Sequence, residues 1–243
     1  MSPHKTLATS RRVLTQLRHD PRTLGMLFVV PPVLITLLKY VFQNNLAFDQ
    51  LAPMLLGIFP MILMFLITSI ATLRERTNGT LERLMTMPMG KVDFILGYAV
   101  AFSVVALVQA LVAAGVMLGL LRVDVLGGTL PTLIGALLSA LLGTALGLFV
   151  SAFAVTEFQA VQFMPAFIFP QLLTCGLFVP REQMARLLQW LADVFPLTYS
   201  VDAMKQVTTN TQWTGTLTRD LGVVLAYTIA ALLLGSLTIR RKE

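Results

Sequence analysis

The chain has 243 residues, of which 56% are apolar and only 12% charged, about half the charge fraction of a soluble domain. With a mean hydropathy of +0.78 and its apolar residues in long unbroken runs, it reads as one membrane-embedded helical bundle rather than one or two soluble domains. The net charge of +6 sits beside apolar runs without any base-reading motif, so no nucleic-acid partner is expected. Cys175 is the only cysteine, which excludes an internal disulfide and a thiolate metal site.

Residues 1–23 are polar and basic, with Lys5, Arg11, Arg12, Arg18 and Arg22 against Asp20. Leu7, Val13, Leu14 and Leu17 fall near helical spacing, so this segment is expected to be an amphipathic helix at the membrane surface. It lacks the small-residue cleavage site of a signal peptide. A first span is predicted at about 24–42, interrupted by Pro31-Pro32, and a second at about 51–73. Residues 74–93 follow with Arg74, Glu75, Arg76, Glu82, Arg83 and Lys91. Six charges at roughly 3 kcal/mol each would cost about 18 kcal/mol at mid-bilayer, so the segment belongs in water or at an interface. Further spans are predicted at about 94–121, 130–153, 161–179 and 221–239, with a tight turn around Glu157 and Gln159 before the fifth. Between the last two, Met184 to Phe195 is amphipathic but too short to cross about 30 Å of hydrocarbon. It is expected to be re-entrant or interfacial, with Trp190 near headgroup depth.

The fold class expected is therefore all-α, a single six-span domain over 1–243. Lysine and arginine favour the N-terminus, residues 74–93 and the C-terminus. That places both termini in the cytoplasm of a multi-pass protein of the plasma or inner membrane. On the fourth span Gly135, Ser139, Gly143, Gly147 and Ser151 recur every four residues, a seam of small residues that lets another helix approach closely. The spans hold almost no ionisable group; Gln109, Gln162 and Gln171 are their strongest polar residues. An ion-coupled carrier needs a buried carboxylate or histidine, and an enzyme needs a catalytic cluster; neither is present, so no catalytic residue is assigned. There is no G-x-x-x-x-G-K-[ST] loop. If ATP drives this protein, another chain binds it.

The most informative stretch is 73–88. Asn78 or Thr80 can cap a helix with Glu82 in its first turn. Leu81, Leu84 and Met85 make an apolar stripe, and Pro88 ends it. Periodicity alone leaves two readings open, a docking helix for a partner groove and an amphipathic helix resting on lipid. Arg74-Glu75-Arg76, then Gly79-Thr80-Leu81-Glu82-Arg83-Leu84 and Met87-Pro88, resemble the signature of the ABC type-2 permease family. Thr156 to Pro165, Cys175 to Pro180 and Pro196 to Ala203 resemble its daunorubicin/doxorubicin-resistance branch.

The resemblance implies a permease that pairs with a second permease subunit, expected to be identical, and with two copies of an ATP-binding-cassette ATPase that carry ATP and Mg; this chain would bind no cofactor itself. It implies a coupling helix at about 78–88 and an N-terminal interface helix, in contact with membrane lipid. It further implies export of drugs, lipids or glycans. The mostly Leu, Met and Phe span faces favour a hydrophobic or amphipathic compound, as in multidrug efflux, over a polysaccharide or lipid-linked glycan. A non-transporting scaffold for an ATPase is the alternative of another class. A cargo path at the dimer seam would be lined by Met61, Phe65 and Thr68 of the second span and by Phe167, Gln171 and Thr174 of the fifth, each trio sharing one helix face.

Overall fold

The structure is a computed structural model and describes residues 3–42, 45–77 and 91–238. Among the described residues it holds nine α-helices and no strand. They are α1 (Pro3–Arg18), α2 (Pro21–Val41), α3 (Asn45–Thr77), α4 (Lys91–Gly115), α5 (Thr129–Ser151), α6 (Glu157–Thr174), α7 (Arg186–Val194), α8 (Pro196–Thr209) and α9 (Gly215–Thr238).

Among the described residues, five helical stretches are long and apolar enough to cross a membrane: Pro21–Val41, Leu46–Thr77, Ile95–Leu120, Thr129–Ser151 and Gly215–Thr238. The expected fifth span at about 161–179 is instead α6, which starts earlier and stops at Thr174. Glu157, Gln159, Gln162, Gln171 and two internal prolines dilute its hydrophobicity, and at about 27 Å it is slightly shorter than the hydrocarbon core. Beyond it, Gly176 adopts φ +87°, a left-handed turn that a glycine makes without a Cβ clash.

α3 forms the axis of the bundle, and α5 packs along it through the small-residue seam. A Cβ on Gly143 would overlap the Met61 carbonyl, and one on Gly147 would lie 2.5 Å from the Phe65 carbonyl. The two backbones therefore touch, the arrangement small residues permit. The upper half of the same seam serves a different partner. Gly135 faces Met204 of α8, and the Ser139 hydroxyl is hydrogen-bonded to that of Ser200.

The proline pair in α2 is accommodated by a side chain from another helix. Pro31 has no N–H to give the Leu27 carbonyl one turn back. Gln109 of α4 donates its side-chain amide to that carbonyl at 3.3 Å, which is how a broken helix keeps its polar groups satisfied away from water. α4 in turn ends in a π-helical turn, Val116–Leu120, closed by Leu121 N–H to Val116 O. Lys39 of α2 donates to the Leu121 carbonyl, placing a cation at a helix C-terminus.

The stretch before the last helix folds as two short helices, α7 and α8. α7 covers most of the segment expected to be amphipathic and shows Leu187, Trp190 and Val194 to the outside. α8 is a largely buried helix, with Pro196, Leu197 and Thr198 buried at its N-terminal end. Just before it, Tyr227, midway along α9, donates to Val194 O. Its other end meets the α4–α5 loop, where Gly127 N–H donates to Val207 O.

Candidate functional site at the charged end

Arg74, Glu75 and Arg76 are not loop residues: α3 continues through them to Thr77. Successive helical residues point about 100° apart, and here each meets a different helix. Arg74 forms a two-pronged ion pair with Glu157 at the start of α6, Nε to Oε1 at 2.8 Å and an Nη to Oε2 at 3.0 Å. Arg76 donates to the Ser151 carbonyl at the end of α5, the negative pole of that helix. Glu75 faces α1. Arg12 reaches its Oε2 at 3.2 Å, and Gln16 donates to its Oε1 at 3.2 Å. Arg12 also donates to the Tyr98 hydroxyl of α4 at 2.9 Å.

The Glu75 side chain is only 11% exposed, so its carboxylate depends on these donors for the hydration it has lost. Arg12 closes one network over three helices. α1 is seated beside it by a close approach: a Cβ on Gly97 of α4 would collide with Thr9. The Arg74–Glu157 pair is half exposed. Its hydrogen bonds to Arg74 hold the Glu157 carboxyl below the usual carboxylate range. Thr156 caps α6 by accepting from Gln159 N–H, and the Gln159 side chain accepts from Val155 N–H, a reciprocal cap that fixes the turn carrying Glu157.

The rest of the expected coupling segment, Gly79, Thr80, Leu81, Glu82, Arg83, Leu84 and Pro88, lies outside the described residues. Its root is what the structure describes, and that root is tied to α1, α4, α5 and α6. The sequence signalled Arg74–Arg76 and Glu157. It gave no sign that Arg12, Gln16 and Tyr98 meet at Glu75, because those contacts span 59 to 86 residues of chain.

The residues expected to line a path are mostly buried within the chain. Met61, Phe65 and Thr68 are fully buried, and α5 covers that face at Gly143 and Gly147. Gln171 is buried as well and joins α6 to α8: its amide donates to Phe167 O at 2.8 Å and its oxygen accepts from Leu197 N–H at 3.3 Å. Thr174 turns back on Pro170 O at 2.8 Å. Of the six, only Phe167 stands exposed, at 41%. Within one chain they form packing and capping contacts rather than an open wall. Among the described residues no group of His, Cys, Asp and Glu could hold a metal ion.

The family model described as ABC-2 type transporter matches residues 4–208, which ends within α8 and leaves α9 outside. The chain is 27% identical over 155 residues to the "Probable multidrug ABC transporter permease YbhR" of Escherichia coli (strain K12), covering 64% of this chain and 42% of that protein. It is 23% identical over 164 residues to ABC transporter G family member 20 of Dictyostelium discoideum, covering 68% of this chain and 22% of that protein. The chain thus spans less than half the length of these relatives. The match runs from the first turn of α1 through the charged root on α3 into α8, and this chain belongs to the ABC-2 type transporter family.

Proposed function

We propose that this chain is the membrane permease subunit of an ATP-driven exporter for hydrophobic or amphipathic compounds. ATP and Mg are bound by a separate ATP-binding-cassette subunit, present in two copies, and a second permease chain completes the assembly. The observation that carries the reading is the root at Arg74–Arg76. Three consecutive side chains bind α6, α1 and α5, so a force on the segment that follows is delivered to three helices together. A loop that merely rests on lipid has no need of such bracing. The name of one relative, a probable multidrug permease, supports the drug-like end of the cargo range.

In this reading the cargo path is formed between two copies, not inside one. Phe167 on the exposed face of α6 remains its candidate lining residue, while Met61, Phe65, Thr68, Gln171 and Thr174 serve packing in the state described. The test is reconstitution with the cognate ATP-binding subunit in vesicles, followed by a screen of hydrophobic cations and lipid-linked glycans. Stimulated hydrolysis with vectorial movement of the former is expected. Stimulation by glycans alone would redirect the cargo class, and hydrolysis without movement of any cargo would favour the scaffold.

A further inference from the structure

One face of α1 is turned away from the bundle, and among the described residues its arginines have no protein partner. Thr9 and Val13 are buried, and Arg12 and Gln16 reach α3. Arg11 and Arg18, seven residues apart, share the opposite side of the helix with Leu7, which is 62% exposed. Arg22 follows in the first turn of α2. All three arginines are exposed, and among the described residues no ion pair or hydrogen bond engages their side chains. The carboxylate lying between Arg18 and Arg22 is already used: Asp20 caps α2 by accepting from the Thr23 N–H and hydroxyl. On α2 the face that carries Arg22 continues, at helical spacing, as an outward apolar stripe of Met26, Val29, Val33 and Leu37.

We infer that Arg11, Arg18 and Arg22 form a docking site for the headgroups of anionic phospholipids, whose acyl chains lie along the outward stripe of α2. Charge and position both favour this occupant. Three exposed arginines, unpaired among the described residues, precede an outward apolar face on α2, the arrangement in which long basic side chains meet headgroups while their stems stay apolar. Leu7 supplies the shallow apolar contact of an interfacial helix. A protein partner is the less favoured occupant, because the root of the coupling segment engages α1 through Arg12 and Gln16 on another side. The docked lipid would fix the tilt of α1 and, through Arg12, the setting of Glu75.

The full chain in detergent micelles, mixed with phosphatidylglycerol or phosphatidylcholine, is examined by native mass spectrometry for retained lipid. The wild type is expected to retain phosphatidylglycerol preferentially, and less so as salt rises. R11Q/R18Q/R22Q should lower that retention at least tenfold, since each basic residue near an anionic surface contributes about fivefold. R11K/R18K/R22K should keep most of it, and K205Q/R122Q at the other end should leave it unchanged. Equal retention of both lipids by the wild type would overturn the proposal, as would loss in the lysine variant, where the charge is preserved. Unchanged phosphatidylglycerol retention in R11Q/R18Q/R22Q, with loss of a co-purifying ATP-binding subunit, would assign the face to that protein instead. The readout needs neither nucleotide nor cargo, so its failure is distinct from failure of the transport reading.

Discussion

Replacing Arg12 by Met removes the donor that joins α1, α3 and α4. Glu75 keeps Gln16 and the neighbouring Tyr98 hydroxyl, and that hydroxyl loses its 2.9 Å donor. A carboxylate that is 11% exposed cannot recover full hydration, so the single substitution is expected to cost about 2–3 kcal/mol. Part of this is discounted because the Arg12 side chain is 29% exposed. Glu75→Gln removes the charge that needs the partner and should cost less, about 1 kcal/mol. If the pair acts as one unit, the double variant R12M/E75Q costs clearly less than the sum, with a coupling of about 1–2 kcal/mol. The assay is thermal unfolding of the purified chain in detergent for all four proteins, with co-purification of the ATP-binding subunit measured alongside. Strict additivity would refute the claim that Arg12 and Glu75 are coupled. Additivity with intact co-purification in every variant would also remove α1 from the account of force transmission.

Gly143→Ala is expected to destabilise by about 2–3 kcal/mol, because its Cβ meets a backbone carbonyl that cannot rotate away, whereas Gly222→Ala, with open space around it, should be neutral or slightly stabilising on the same thermal melt. Gln109→Leu should cost about 1–2 kcal/mol by stranding the Leu27 carbonyl; Pro31→Ala, which restores the missing N–H, should suppress most of that loss, and an unsuppressed loss would disprove the pairing. Glu157 should hold its ion pair through neutral pH and lose it only as pH falls through its depressed folded value; because the pair is half exposed, Glu157→Gln should flatten this acid-side loss by only a few tenths of a kcal/mol. For topology, Thr77→Cys is expected to react with an impermeant reagent only after permeabilisation and Gln212→Cys from outside, and the reverse pattern would invert the proposed orientation.

The sequence by itself determined that the chain is a membrane bundle, since no soluble core accounts for such unbroken apolar runs at 12% charge. It also indicated where most of the long helices lie and which small residues of the fourth span share one face, because these depend on local composition and fixed helical spacing. The short α6 was partly legible, as its glutamines and prolines weaken the apolar signal. α8 was not, because Ser200, Asp202 and Gln206 make it look like loop when read alone. Only packing against α3, α5 and α9 turns those groups inward to partners such as Ser139 and Asp220. The burial of Met61, Phe65 and Thr68 was likewise undecided by periodicity. A helical stripe states which residues share a face, and only the position of the next helix decides whether that face meets protein, lipid or cargo.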